Sequence, residues 1–158
     1  MEVATSDVGK IATAICWENY MPLFRAHLYN QSPQIYCAPT VDDREIWLAT
    51  MKMIALEGRC FVVSASQYMR LSDVCASWYT PIQGTDPDTV LIRGGTCIIS
   101  PLGEVISAPV FDRNDIVLAE LDMDAIARGK FDLDVAGHYA RPDVFELIAN
   151  TRPSDRRR

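Results

Sequence analysis

Residues 11–24 read IATAICWENYMPLF. A short apolar run ends at Cys16. A tryptophan, a glutamate and an asparagine follow, and Pro22 then opens a helical pattern at a position where a missing N–H costs nothing. A strand that turns sharply into a helix at a nucleophilic residue has a physical use. The turn exposes the side chain at the carboxyl edge of a sheet, where open α/β folds bind ligands. The nearby helix N-terminus carries partial positive charge, which favours a thiolate. Backbone N–H groups just after the residue can hold a developing anion. Cys16 is therefore a candidate nucleophile, with the N–H of Trp17 as a donor. The plain alternative is a buried core cysteine. The polar trio Trp17, Glu18 and Asn19 favours the nucleophile, because a purely structural strand end has little use for it.

Working outward, GKIATAIC (9–16) reads as a buried strand and PLFRAHLYNQ (22–31) as a helix. QIYCAPT (34–40) is a second strand, stopped by Pro39. DDREIWLATMKMIALEG (42–58) is the clearest helix. Asp42 and Glu45 have capping-box spacing, and Gly58 sits where a C-cap belongs. Ile46, Ala49, Met53 and Leu56 are expected to face the core, with Trp47, Met51 and Ile54 widening that stripe. RCFVVSASQ (59–67) is a third buried strand. This order of strands and helices predicts right-handed crossovers and neighbouring parallel strands. Residues 70–93 carry Pro81, Gly84 and Pro87 and read as a long loop excursion. GGTCIISPLGEVISAPV (94–110) is a strand–turn–strand unit with Gly103 in the turn. DIVLAELDM (115–123) reads as a last strand, DAIARGKF (124–131) as a short helix, and 132–150 as an irregular tail.

The bulk numbers set the class. The chain has 158 residues, 49 % hydrophobic and 23 % charged, which suits one globular domain. A net charge of −6 argues against a nucleic-acid surface, and the basic end RPSDRRR is short enough to be a solvated terminus. No apolar stretch is long enough for a membrane span, and the first ten residues lack the pattern of a signal peptide. Five cysteines, with no C-x-x-C pair, argue against a disulfide framework and for a reducing, cytoplasmic setting. With only His27 and His138, a histidine-rich metal site is not expected.

AICWENYMPLFRAHLY, IYCAPT, ALEGRCFVVSASQ, GGTCIISPLGEV and FDLDVAGHYARPDVFEL occur in that order between about residues 8 and 150. Together they resemble the nitrilase branch of the carbon–nitrogen hydrolase superfamily. The tryptophan after the cysteine points to the nitrile-hydrolysing branch. The resemblance implies an α/β fold, the carboxyl-terminal half of an αββα four-layer sandwich. It implies one partial carbon–nitrogen hydrolase domain over 1–158, with 122–158 as a carboxyl-terminal tail. It also implies hydrolysis of a small-molecule nitrile to a carboxylic acid and ammonia, without metal or cofactor, through a cysteine thioimidate.

By the same resemblance Cys16 is the nucleophile, and Trp17 supplies a backbone donor and shapes the pocket. Glu18 has a positioning role or caps the following helix, and Asn19 is a second candidate cap. Pro39 and Thr40 are expected to border the pocket. Glu57 is expected to hold Arg59 or a strand end, and His138 to make a tail contact or reach the active centre. Family members use a Glu–Lys–Cys triad whose glutamate and lysine precede the cysteine by many residues. Only fifteen residues precede Cys16, and Lys10 matches a strand-entering basic residue instead. The implied partners are a second copy of the chain or a full-length nitrilase subunit, and the isolated chain is expected to be weak or inactive. Two other readings stand beside this one. One is a Cys–His hydrolase using His138 or His27 as base. The other is a non-catalytic homologue that docks on full-length subunits.

Overall fold

The computed structural model describes residues 2–74 and 84–150. Residues 75–83 lie outside the described residues. They hold Cys75, Trp78 and Pro81 and form the middle of the expected excursion. The basic end 151–158 lies outside them too. The elements run β1 (Ala4–Ser6), β2 (Gly9–Thr13), α1 (Pro22–Tyr29), β3 (Ile35–Cys37), α2 (Ile46–Gly58), β4 (Phe61–Ser64), β5 (Tyr68–Arg70), β6 (Val90–Ile99), β7 (Val105–Phe111) and α3 (Asp124–Asp132).

One seven-stranded sheet organises them, in the order β1-β2-β3-β4-β6-β5, with β7 also on β6. Strands β2, β3 and β4 are parallel, as the strand–helix alternation predicts: Ala12 pairs with Tyr36, and Tyr36 with Val62. β6 runs antiparallel to β4, β5 and β7. The turn between β6 and β7 closes through Gly103 N–H to the Ser100 carbonyl at 2.9 Å, with Gly103 at φ 79°. Helices α1 and α2 cover one sheet face. Leu28, Met51, Ile54 and Ala55 pack there on Ala12, Tyr36, Val62 and Ile99.

Four expectations change. The hairpin strand β1 is exposed throughout, so no apolar pattern announced it. The excursion of 70–93 begins and ends in strand, as β5 and the first residues of β6. Residues 115–123 form no strand, and the Ile116 and Leu118 side chains point to solvent. On α2 the core side is Trp47, Met51, Ile54 and Ala55, while Ile46, Ala49, Met53 and Leu56 are exposed.

Candidate active site

The chain leaves β2 at Thr13, but its backbone stays bonded to the β3 side for three more residues. Ala14 N–H donates to the Cys37 carbonyl at 3.1 Å and Cys16 N–H to the Pro39 carbonyl at 2.8 Å. Cys16 then opens a single 3-10 turn, Cys16–Tyr20, with φ 50°. That is the left-handed region, which side chains with a Cβ rarely adopt. The sharp corner expected from the sequence is thus a strained one, as strand-to-helix nucleophile turns are.

Asn19 fastens this corner. It is fully buried, and its Nδ2 donates to the carbonyls of Ala14 at 2.9 Å and Cys16 at 2.8 Å. Arg25 Nη1 donates to the Asn19 carbonyl at 2.9 Å. Glu57 in turn accepts from Arg25 Nε at 3.2 Å and from the Tyr29 hydroxyl at 3.0 Å. Burial next to Glu57 raises the Tyr29 hydroxyl far above its ordinary range, so it serves as a fixed donor. Glu57 therefore braces the nucleophile turn through Arg25, in place of the expected partner Arg59. Glu18 Oε2 accepts from the Ile15 N–H at 2.7 Å, a capping contact at the same corner.

The thiol itself is half-buried and takes a hydrogen bond from Thr40 Oγ1 at 3.3 Å. Thr40 is held on three sides. Its N–H donates to the Ala65 carbonyl at 2.9 Å, its hydroxyl accepts from Asp42 N–H at 2.8 Å, and its backbone bridges to Ser66. Pro39 and Thr40 line a cleft of about 410 Å³ that continues past Ser66 and Gln67. The structure thus brings Cys16, Pro39 and Thr40 together.

The Trp17 amide has no hydrogen-bond partner among the described residues. Its indole is exposed and tied to the segment that follows Thr40. Nε1 donates to Asp42 Oδ2 at 2.9 Å, and Arg44 sits 5.6 Å from the ring centroid. Hydrogen bonds from Arg44, joined by that of Trp17, hold the Asp42 carboxyl well below the usual carboxylate range. Sequence reasoning assigned Asp42 to a capping box. The signal for its other role is its position two residues after Thr40.

His138 is exposed, with Nε2 3.4 Å from the Asp132 carbonyl and its ring against Tyr139. His27 contacts Gln31. His138 is not bonded to Cys16, and among the described residues no carboxylate or lysine is hydrogen-bonded to it either. Lys10 Nζ lies against the Gln31 carbonyl at 3.4 Å. Burial pushes the Cys60 thiol up to about 12 and the Cys97 thiol to about 11, and raises that of Cys37. Among the described residues no three His, Cys, Asp or Glu side chains converge as metal ligands.

A family model described as carbon–nitrogen hydrolase matches residues 1–131. A nitrilase of Bradyrhizobium diazoefficiens is 51 % identical over 153 residues, which is 97 % of this chain and 47 % of that protein. An arylacetonitrilase of Trametes versicolor is 52 % identical over 151 residues, covering 92 % of this chain and 46 % of that protein. Among solved structures, the C. elegans NitFhit protein aligns with a TM-score of 0.67 at 19 % identity, over 99 % of this chain and 35 % of that one. The chain spans about half the length of the curated relatives it matches.

Proposed function

The chain belongs to the carbon–nitrogen hydrolase family, and from that premise we propose that Cys16 attacks a small nitrile in a nitrilase-type hydrolysis. The sulfur bonds to the nitrile carbon, the displaced π pair moves to nitrogen, and protonation there gives a thioimidate. Addition of water breaks the C–N bond, releases ammonia and leaves a thioester. A second water releases the carboxylic acid and returns the thiol. The observation that carries this reading is the left-handed Cys16 with the Thr40 hydroxyl on its sulfur. In this reading Thr40 steadies the sulfur as charge shifts onto and off it, and the Trp17 amide donates to the negative nitrogen. The relatives' names, nitrilase and arylacetonitrilase, support a nitrile as substrate. The unpaired thiols Cys16, Cys37, Cys60 and Cys97 support a reducing, cytoplasmic setting.

General-base help is typically worth about 10²–10⁴-fold, and no described base touches Cys16. Both adduct formation and ammonia release by the isolated chain are therefore expected to be slow. Intact-mass detection of a nitrile adduct, with an ammonia assay in parallel, tests this. Both signals should vanish in Cys16→Ala. An absence of adduct and ammonia across aliphatic and arylacetonitriles, with and without an added full-length nitrilase, would overturn it.

A second reading has its own observation. Ile116, Leu118, Phe131 and Phe145 are exposed apolar side chains that suit a protein interface. In that reading the chain joins a second copy or a full-length nitrilase subunit and adds no turnover of its own. Co-purification without a Cys16 adduct would favour it.

A further inference from the structure

Thr40 and the nucleophile turn come from different elements, and Asp42 is bonded to both. Cys16, Trp17 and Tyr20 lie on the 3-10 turn after β2, while Thr40 lies just past the end of β3. The last backbone bond between the two, Cys16 N–H to the Pro39 carbonyl at 2.8 Å, stops one residue short of Thr40. Asp42 supplies the rest of the link. Its N–H donates to Thr40 Oγ1 at 2.8 Å. A threonine hydroxyl has a single hydrogen, and with that N–H accepted, its own hydrogen goes to the sulfur 3.3 Å away. On the other side the Asp42 carboxylate accepts from two residues of the turn, Trp17 Nε1 at 2.9 Å and the Tyr20 hydroxyl at 3.3 Å. Arg44 closes the remaining positions, with Nε donating to Oδ1 at 2.8 Å and Nη2 to Oδ2. Asp42 is 8 % exposed, and a carboxylate so far from water needs every one of these partners.

We infer that Asp42 is a positioning residue for the reaction at Cys16: it clasps the nucleophile turn to the segment that carries Thr40, and so sets the contact between the Thr40 hydroxyl and the sulfur. The inference rests on the nitrilase reading above and adds to it a residue that acts through Thr40. An amide of the same shape cannot replace the carboxylate. Asparagine keeps one acceptor oxygen and turns an NH2 towards either the Trp17 and Tyr20 side or Arg44, where only donors stand. One side of the clasp then opens. The Asp42 N–H shifts with it, and the Thr40 hydroxyl can rotate off the sulfur. A misplacement of about 1 Å at a reacting group can cost about 10²-fold in rate. A purely structural role has a different signature. Asp42→Asn would then lower stability, and any effect on Cys16 would be independent of Thr40.

A double-mutant cycle on the rate of adduct formation at Cys16 separates the two. Phenylacetonitrile and hexanenitrile are the probes, followed by intact mass, with urea unfolding to establish that each variant is folded. Thr40→Val keeps the shape of the side chain and removes the hydroxyl, and should lower the rate about 10-fold, the usual worth of one hydrogen bond to a charged group. Asp42→Asn should lower it about 5–10-fold when Thr40 is present. Where Thr40 is already valine, the same substitution should cost less than about 2-fold, because the contact it disturbs is gone. If Asp42→Asn does not fold, Asp42→Ala takes its place, since the donors it frees on Trp17 and Arg44 belong to side chains more than half exposed and can turn to water. Effects of the two substitutions that multiply, or a rate unchanged by the loss of the carboxylate, would overturn the positioning role while leaving the nitrilase reading intact. No adduct from the unaltered chain with either nitrile, with and without an added full-length nitrilase, would overturn the two together.

Discussion

The left-handed conformation of Cys16, at φ 50°, costs a residue with a Cβ about 1–2 kcal/mol. The corner survives because Asn19 ties both sides of it, at the Ala14 and Cys16 carbonyls. Those bonds are made by a side chain other than that of Cys16, so they remain when residue 16 is changed. Removing the thiol by two routes should therefore separate strain from chemistry. Cys16→Ala keeps a Cβ in the forbidden region, whereas Cys16→Gly releases it. Glycine loses about 0.5–1 kcal/mol through its greater freedom in the unfolded chain. The glycine variant is still expected to be more stable than the alanine variant by about 1 kcal/mol in urea unfolding. Equal stabilities would mean that the elbow stores no more strain than glycine's freedom costs, about 0.5–1 kcal/mol. Cys16 was legible from its strand-end position, but Asn19 was read only as a possible cap. An asparagine in a turn announces a hydrogen bond to nearby backbone. Which carbonyls it takes depends on a backbone path that the sequence does not display.

At the scale of elements, α2 shows why pattern alone misled. Its residues are apolar almost all the way round, so a 3.6-residue period does not select a face. A polar contact selects it. Trp47 Nε1 donates to the Ser64 hydroxyl at 2.8 Å, and that hydroxyl donates to the Ala38 carbonyl at 2.9 Å. This buried relay rolls Trp47, Met51 and Ile54 inward and leaves Met53 51 % exposed. Met51→Ala should lower stability by about 2–5 kcal/mol, in the range for a core cavity. Met53→Ala should change it by less than about 0.5 kcal/mol. Chemical denaturation of the two variants decides the matter, and a larger loss at Met53 would reverse the assignment of the face. The helix ends were misread for related reasons. Asp42 leaves the capping box because Arg44 and Trp17 occupy its carboxylate. Gly58 is small because a Cβ there would meet Tyr29 Cε1 at 2.8 Å, and Arg59 takes the left-handed cap position instead. The parallel core strands, by contrast, were legible, since each is a short apolar run between strong punctuators.

At the scale of the whole molecule, the apolar surface is unevenly covered. One sheet face carries α1 and α2, but Ile11, Ile35, Cys37 and Val63 on the other face stay only half-buried. The expected strand at 115–123 pairs with nothing among the described residues, and Ile116 and Leu118 are 84 % and 83 % exposed. Their alternating spacing puts both on one side of an extended segment, the pattern of a strand meant to cover a core. Exposed apolar side chains of this kind favour association. Sedimentation velocity at micromolar concentration is therefore expected to show species larger than the 17.7 kDa monomer. Replacing Ile116 and Leu118 together by lysine should shift the distribution towards monomer. Because both side chains are already in solvent, the double variant should lose no more than about 1 kcal/mol of stability. The same variant tests where the contact lies. If the association persists with both lysines in place, the interface is elsewhere, and a purely monomeric parent chain would refute the argument outright.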